Sequence, residues 1–564
     1  MNDIPAKGSD KLLSKLERKF SEAKNARAHK PGRWRRNEEL YTGKILAPFN
    51  LPKYKSRIEV PTPFSIVETI YAILTDRKPV VDLMPKREDQ VPRLQGIREA
   101  LSHELEVSKA WRAVNGMKRD GLIYGNGFLK LHYDNELKVT NPDVFSVFFD
   151  PLCTSIQNAR CVIFATPTYV EDIRADFGKE VKSEGKLDEF RSFIHQSKTD
   201  TDMSQVTTSP GHSGNSTGIR TDYVEKSPIE MTDSSEYGGG QVLLKEAWYF
   251  EGDKLYIATW AGDQVLQHQE ADYPWIPIVT FKNYGDEHSI WGKGEPEIIE
   301  PLAVGTAIAM SQAVDNLILH GNPAWVLPKS MSKTHGNRPT DKPGQIFWTT
   351  GPHEKIDRLV PGDMSRSTLP LVEEMLKLQD TVSGVHDITQ GRRPTGVTAS
   401  RAIQQLQEAS QQIIRVKERE VGTDSIIDMH RMALHILKNH YVEPITVRKV
   451  EDDEYKFDTY QPYDLDDDLD FKYVPGSTMP ESKASRIDQA MDYLKLGVLT
   501  PEQFWRWHEK DISSDILEEL IQQKRQMNQQ MQSDMETIQS STNEDEILNA
   551  KLRLRESMGY GEAA

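Results

Sequence analysis

Several short strings in the chain carry residue types used in metal and phosphate chemistry, and each stops short of a working set. His103-Glu104 and His353-Glu354 begin like the helix of a zinc protease, but neither has the second histidine one turn later that completes the ligand pair. Asp464, Asp466 and Asp468 alternate like the donors of a calcium loop; the loop glycine and the closing glutamate are missing, so they read as an exposed acidic strand face. Gly292-x-Gly294 lacks the third glycine of a dinucleotide fingerprint and runs into a proline. No GxxxxGK[ST] phosphate loop occurs, which excludes a P-loop ATPase. His430 and His435 lie five apart and read as packing or surface residues. Cys153 and Cys161 form no CxxC and read as small buried side chains. A nucleic-acid enzyme would need a metal-binding carboxylate constellation that the sequence does not offer. No catalysis, metal or cofactor is expected. The remaining candidate is cationic: Arg392 and Arg393, flanked by Gly391 and Gly396 in a segment free to bend. On the residues alone the pair reads as solvated arginines in a surface loop.

The composition limits what could position such a pair. The 564 residues are 37 % hydrophobic and 28 % charged, enough for several cores and more than one domain. A net charge of −16 excludes a simple nucleic-acid coat, which would be basic. An acidic chain either avoids nucleic acid or contacts it only at placed cations. The start, Met1 to Lys11, lacks the apolar core of a signal peptide, and no stretch is expected to span a bilayer, so a soluble protein made in a cytoplasm is expected.

The elements follow from periodicity and punctuation, and the fold class is α+β. Residues 1–36 hold eleven Lys and Arg against four acids, with Leu12, Leu13, Leu16 and Phe20 as a narrow stripe; a solvated helix is the preferred reading over DNA contact. Ser65–Asp76 is amphipathic through Ile66, Val67, Ile70, Ile73 and Leu74, and Gln95–Asp120 reads as further helix. Gly127–Tyr133 and Val144–Asp150 read as strands, with turns at Asn135 and at Asn141-Pro142. Gln196–Gly240, rich in Ser, Thr, Gly and Asp, reads as a mobile insertion. Strands follow at Val242–Phe250, Lys254–Trp260 and Ile276–Phe281, the first two joined by a hairpin at Glu251-Gly252-Asp253. Glu295–His320 is a long helix with Ile299, Leu302, Ala309, Ala313 and Leu317 on one side, ending at Gly321-Asn322-Pro323 with the glycine as a permissive cap. A Pro/Gly/Lys-dense module, 322–366, holds short strands at Trp325–Leu327 and Ile346–Thr349. A second helix, Leu369–His386, carries Leu371, Met375, Leu378, Val382 and Val385 at steps of 4, 3, 4 and 3, a seam for a neighbouring helix. Thr389–Thr398 breaks the pattern, and Ser400 opens a third, very long helix to Asn439. Strands return over Val442–Tyr473 with an acid cluster from Glu451 to Asp470, and a helical tail follows Met479.

This order resembles the portal proteins of tailed bacteriophages. The most specific string is Thr395-Gly396-Val397-Thr398-Ala399-Ser400 before a Gln-rich helix. Trp34 to Tyr41, Lys78-Pro79, Tyr124-Gly125-Asn126-Gly127 and Phe149-Asp150-Pro151 add to the likeness, which covers roughly residues 30–520. The resemblance implies a wing over 1–294, with the insertion at about 196–240, and a first stem helix over 295–321. It implies a small α/β clip over 322–366, a second stem helix over 367–388 and a tunnel loop over 389–398. The long kinked wing helix and wing strands would occupy 399–478, and a helical crown and tail 479–564.

The function implied is a non-enzymatic ring, of twelve copies, at one capsid vertex of the virion, assembled in the host bacterial cytoplasm. It would be the channel for DNA packaging and ejection. Implied partners are the chain itself, double-stranded DNA without sequence specificity, the terminase large subunit, a head-completion or adaptor protein, and the major capsid and scaffolding proteins; no membrane is implied. Arg392 and Arg393 would belt the channel, with Gly391 and Gly396 allowing the bend. Lys329, Lys333, Arg338, Lys342, Lys355 and Arg358 make the clip basic, for docking of protein or for DNA at the exit. Leu371, Met375, Leu378 and Val382 would form the stem seam, with Glu373, Glu374, Lys377 and Asp380 toward the lumen. The alternative is another virion connector, a tail or baseplate component, which need not have two long helices bracketing a clip.

Overall fold

In a computed structural model of the chain, residues 6–52, 54–179, 241–328, 344–350, 356–359, 368–385, 412–451, 454–474 and Met491 are described. The chain divides into two compact units, Met1–Met479 and Pro480–Ala564, and all described elements belong to the first. The insertion at 196–240, the loop Thr389–Thr398 and the predicted helical tail lie outside the described residues, Met491 apart.

Apolar residues spaced three to four apart form α1 (Ala6–Ala26), which buries Leu16, Phe20 and Ala23. This corrects the solvated reading: the stripe closes one side of a sheet core, with the Phe20 ring 4.9 Å from Phe148. Just beyond it, Arg27 is buried and donates to the carbonyls of Val147 (2.6 Å), Phe145 (2.7 Å) and Val144 (3.3 Å). A guanidinium presents several donors in a rigid fork, which suits three converging carbonyls. In α2 (Lys30–Tyr41), Trp34 meets Phe145 and Trp291 edge-on. α3 (Thr62–Thr75) buries the five positions that periodicity selects, Ile66, Val67, Ile70, Ile73 and Leu74.

After β1 (Val81–Pro85) come two helices where one was expected, α4 (Leu94–Val107) and α5 (Ala110–Tyr124). The break is at Lys109, which takes a left-handed φ of +53°. Buried apolar residues continue on both sides of it, so periodicity alone carries no sign of the break. Gly125, at φ +95°, then turns the chain into β2 (Asn126–Asp134). Gly127 sits so close to α5 that a Cβ there would lie 1.8 Å from the Met117 carbonyl oxygen.

β2 turns at Asn135 (φ +58°) into β3 (Glu136–Thr140), a strand the sequence reading missed. The expected strand at Val144–Asp150 starts as a 3₁₀ turn, because Asp143 caps the Phe145 amide; only β4 (Val147–Phe149) pairs. β5 (Cys161–Tyr169), α6 (Val170–Phe177), β6 (Gln241–Glu251), β7 (Lys254–Ala261) and β8 (Gln264–Glu270) follow. β4 to β8 form a five-stranded antiparallel sheet in chain order, with Gly252 at φ +65° in the predicted hairpin turn. β9 (Ile278–Lys282) pairs with β2. Alternation along β2 serves two cores: Phe128 joins the five-stranded sheet, while Leu129 and Leu131 face α4 and α5.

β10 (Tyr284–Asp286) and β11 (Ser289–Lys293) lead into α7 (Glu295–Gly321), which continues through Pro301. Its buried line is Ile299, Ala303, Thr306, Ala307 and Ser311; of the expected stripe, Leu302, Ala309 and Ala313 are only half-buried and Leu317 is 67 % exposed. Small residues take the inward face because a neighbouring helix approaches closely there. Gly321 is the last helical residue and has no left-handed φ, so the stop lies with Asn322 and Pro323. By length and composition alone α7 could cross a bilayer, contrary to expectation; only 22 % of its most apolar window is buried within the subunit.

β12 (Ala324–Pro328), β13 (Ile346–Thr349) and β14 (Asp357–Leu359) make a small sheet in the order β13-β12-β14. Then come α8 (Thr368–Ser383), α9 (Gln412–Glu420), a π-helical turn (Val421–Ile426) and α10 (Ile427–Asn439). β15 (Ile445–Glu451) and β16 (Glu454–Tyr460) form a hairpin, and β17 (Leu469–Tyr473) pairs with β1. A third core gathers residues of α2, α3, α5, α7 and α9, among them Leu40, Ile70, Leu122, Ile299 and Ile414.

Candidate subunit interface

α8 packs on α7 with its polarity reversed. The residues it buries are Val372, Gln379 and Ser383, and Gln379 Nε2 donates to Thr306 Oγ of α7 at 3.1 Å. The buried Gln379 Oε1 has no hydrogen-bond partner among the described residues. Of the four predicted seam residues, Met375 turns toward α7, its sulfur 3.4 Å from where a Cβ on Gly305 would stand. Leu371, Leu378 and Val382 point outward, between 42 % and 49 % exposed. The apolar face continues onto α9: Ile413 packs beside Gly384 at the end of α8, and both Ile413 and Val416 have exposed side chains. A glutamine and a serine inside with leucine and valine outside is the wrong order for a helix that meets only water.

The base of this helix pair is held by a buried polar junction that sequence reading missed. Glu295, in the first turn of α7, is fully buried and pairs with the Lys417 ammonium of α9. Asn283 Nδ2 (3.1 Å) and the Tyr284 hydroxyl (3.2 Å) also donate to its carboxylate, and Lys417 lies 4.0 Å over the Tyr284 ring. A carboxylate at a helix N-terminus also faces the favourable end of the dipole. Burial lowers the Lys417 pKa, against the pull of Glu295. The next residue, Glu418, is buried as well and accepts from the Tyr473 hydroxyl of β17. Lys118 of α5 shares a crevice with it, donates to the Leu74 carbonyl at 2.7 Å and is pushed down to about 8 by burial. No local motif signals a pairing across 122 positions of chain.

The other candidates are accounted for individually. Asp466 accepts from Arg87 (2.7 Å) and Gln90 (2.8 Å), and Asp468 accepts from Lys86 (2.9 Å). These carboxylates tie the approach to β17 to the chain after β1. The His430 ring nitrogen sits 2.7 Å from the Ile426 carbonyl, and burial pushes the ring down to about 4. His435 contacts Asp467 at 3.2 Å. Cys153 and Cys161 are buried, and burial pushes both thiols up to about 11. Arg358 is exposed and stacks 4.9 Å over Trp325. Lys329, Lys333, Arg338, Lys342 and Lys355 lie outside the described residues, as do Gly391, Arg392, Arg393 and Gly396.

The profile of the phage SU10 portal protein family matches residues 137–554, more than half of the chain. The chain belongs to the phage portal protein family. No curated protein matches it. The portal match begins within β3, so α1 to α5, β1 and β2 precede it. It spans 196–240 and runs to residue 554, beyond the limits of the likeness read from short motifs. Portal proteins are structural components of the phage virion.

Proposed function

We propose that copies of this portal chain close into a ring at one capsid vertex and that the ring is the channel through which double-stranded DNA enters and leaves. In this reading residues 1–294 and 399–478 build the wing, and 295–321 and 367–388 the stem. Residues 322–366 form the clip that docks the terminase large subunit and later a head-completion protein, 389–398 the tunnel loop, and 479–564 the crown and tail. The reversed polarity of α8 carries the proposal: Leu371, Leu378 and Val382 lie outside while Gln379 and Ser383 lie inside. A ring needs a heterologous contact repeated around an axis, and an outward apolar stripe on a half-covered helix pair supplies one side of it.

The charge fits a channel that must pass a polyanion without gripping it. Twelve copies at −16 each would carry about −190 charges, so most of the wall repels DNA. Guidance then falls to the few cations at the constriction, Arg392 and Arg393, through contacts that carry no base information. The test is packaged DNA per procapsid for wild type, Arg392→Ala/Arg393→Ala and Arg392→Glu/Arg393→Glu. Rings should persist in all three, packaging or retention should fall in the Ala form, and the Glu form should be worse. Equal packaging and retention in all three would remove these arginines from the channel.

A further inference from the structure

α9 meets the body through two adjacent buried charges of opposite sign, Lys417 and Glu418, and the π-helical turn starts three residues later. Neighbouring helical positions point about 100° apart, so each charge faces a different element. Lys417 faces Glu295 on α7; Glu418 faces Tyr473 on β17 and shares its crevice with Lys118 of α5. That crevice has no room for a water molecule, so little screens these charges. Beyond the π turn the helix is fixed. Met429, Ala433 and Leu437 of α10 are buried, and at the C-terminal end of the π turn itself Ser425 Oγ donates to the Thr280 carbonyl at 2.9 Å. Gly422 leaves room for the Tyr473 ring, which lies 2.3 Å from where a Cβ would stand.

A π turn holds one residue more than an α turn and can relax by a one-residue slip. With α10 held, a slip turns α9 by about 100° and moves it about 1.5 Å along its axis. We propose that Lys417 and Glu418 form a register latch that holds α9 and its π turn in the observed register against a one-residue slip in either direction. Slipping one way sets Glu418 against Glu295, two buried carboxylates. Slipping the other way sets Lys417 against Lys118 and leaves Glu295 facing Val416. Both directions are therefore penalised by like or unpaired charge. Buried ion pairs add little net stability over apolar packing, whereas a mismatched buried charge is costly. The pair of pairs thus selects a register rather than strengthening the fold. The latch stands on the subunit's own geometry. Where the ring reading also holds, a slip would rotate Ile413 and Val416 out of the outward apolar face, so register and subunit contact would be coupled.

The test uses the full chain. Gly384→Cys/Ile413→Cys reports the register: a Cβ on Gly384 would stand 3.2 Å from the Ile413 Cβ, a few tenths of an ångström inside the usual disulfide spacing, so a small shift of Gly384 from its φ of +71° has to accompany the bond. Cross-linking should occur in this background and fall about tenfold on adding Lys417→Glu/Glu418→Lys, which opposes like charges in the observed register and matches one of the two contacts in a slipped one. Reversing Glu295→Lys and Lys118→Glu as well should restore it. Unchanged cross-linking after the first exchange would overturn the latch. Should the exchanged chain not fold, Glu295→Gln/Lys417→Met removes one guard without leaving a charge. Amide exchange over 412–420 should then rise about tenfold while 427–439 keeps its protection. Unchanged exchange, or loss of protection in both stretches together, would overturn it too.

Discussion

Replacing Leu378 and Val382 by Asp tests whether a second copy covers the outward face of α8. Each side chain is 42 % exposed in the subunit. Full burial of a leucine or valine is worth about 1.5–3 kcal/mol, so covering the remaining two-fifths is worth about 1 kcal/mol each, or about 2 kcal/mol per contact. A carboxylate at either position forfeits that gain and adds a desolvation cost of several kcal/mol if it is buried unpaired. Every subunit contact in a ring carries the same loss. The isolated subunit keeps Val372, Gln379 and Ser383 packed inward, and two solvated carboxylates cost it little. The double variant should therefore lose rings in native mass spectrometry at micromolar concentration. The monomer's melting temperature should stay within about 4 °C of wild type. Rings at wild-type abundance would refute the reasoning, and so would a monomer that melts far below wild type.

Two further substitutions test the packing around α5. Burial pushes the Asp120 carboxyl up to about 6 from 3.8, while Asn141 Nδ2 donates to it at 2.9 Å. A raised acid binds its proton more tightly in the folded state, so stability falls as pH rises from about 4 through about 6. Asp120→Asn keeps a neutral side chain there. It should stabilise by about 1–3 kcal/mol at pH 8, with the gain shrinking below pH 6; thermal melts at pH 5 and pH 8 showing no such difference would place the carboxylate in water. Gly127→Ala would press a methyl onto the Met117 carbonyl, a backbone contact that no rotamer change relieves. It should cost about 3 kcal/mol or more, and a melting temperature equal to wild type would show that α5 and β2 can separate freely.

The legible parts of this chain were those fixed by local spacing. α3, α8 and the β6–β7 hairpin lie where periodicity and turn residues put them, because a buried face and a tight turn each leave a short-range mark. α7 lies where expected, but its inward face does not: with Gly305 against Met375, close helix approach favours Ala, Thr and Ser over the larger residues that a hydrophobic stripe singles out. The α4–α5 break left no mark, since Lys109 in a left-handed conformation is not a residue that announces a turn. The solvated reading of α1 failed for a related reason: a narrow stripe of Leu16 and Phe20 suffices when a sheet face supplies the rest of the core. The Glu295–Lys417 and Glu418–Tyr473 contacts are long-range electrostatics, set by the tertiary fold and invisible to spacing. The family, by contrast, was readable from the order of elements, and the match over residues 137–554 supports it.

In the proposed ring, copies of this chain meet through the outward face of α8 to enclose a channel. Electron microscopy of the purified full-length protein tests it most directly. Closed rings with a central hole should be seen end-on in the wild type and should disappear in the Leu378→Asp/Val382→Asp variant. Monomers, open filaments or compact trimers without a hole in the wild type would contradict it.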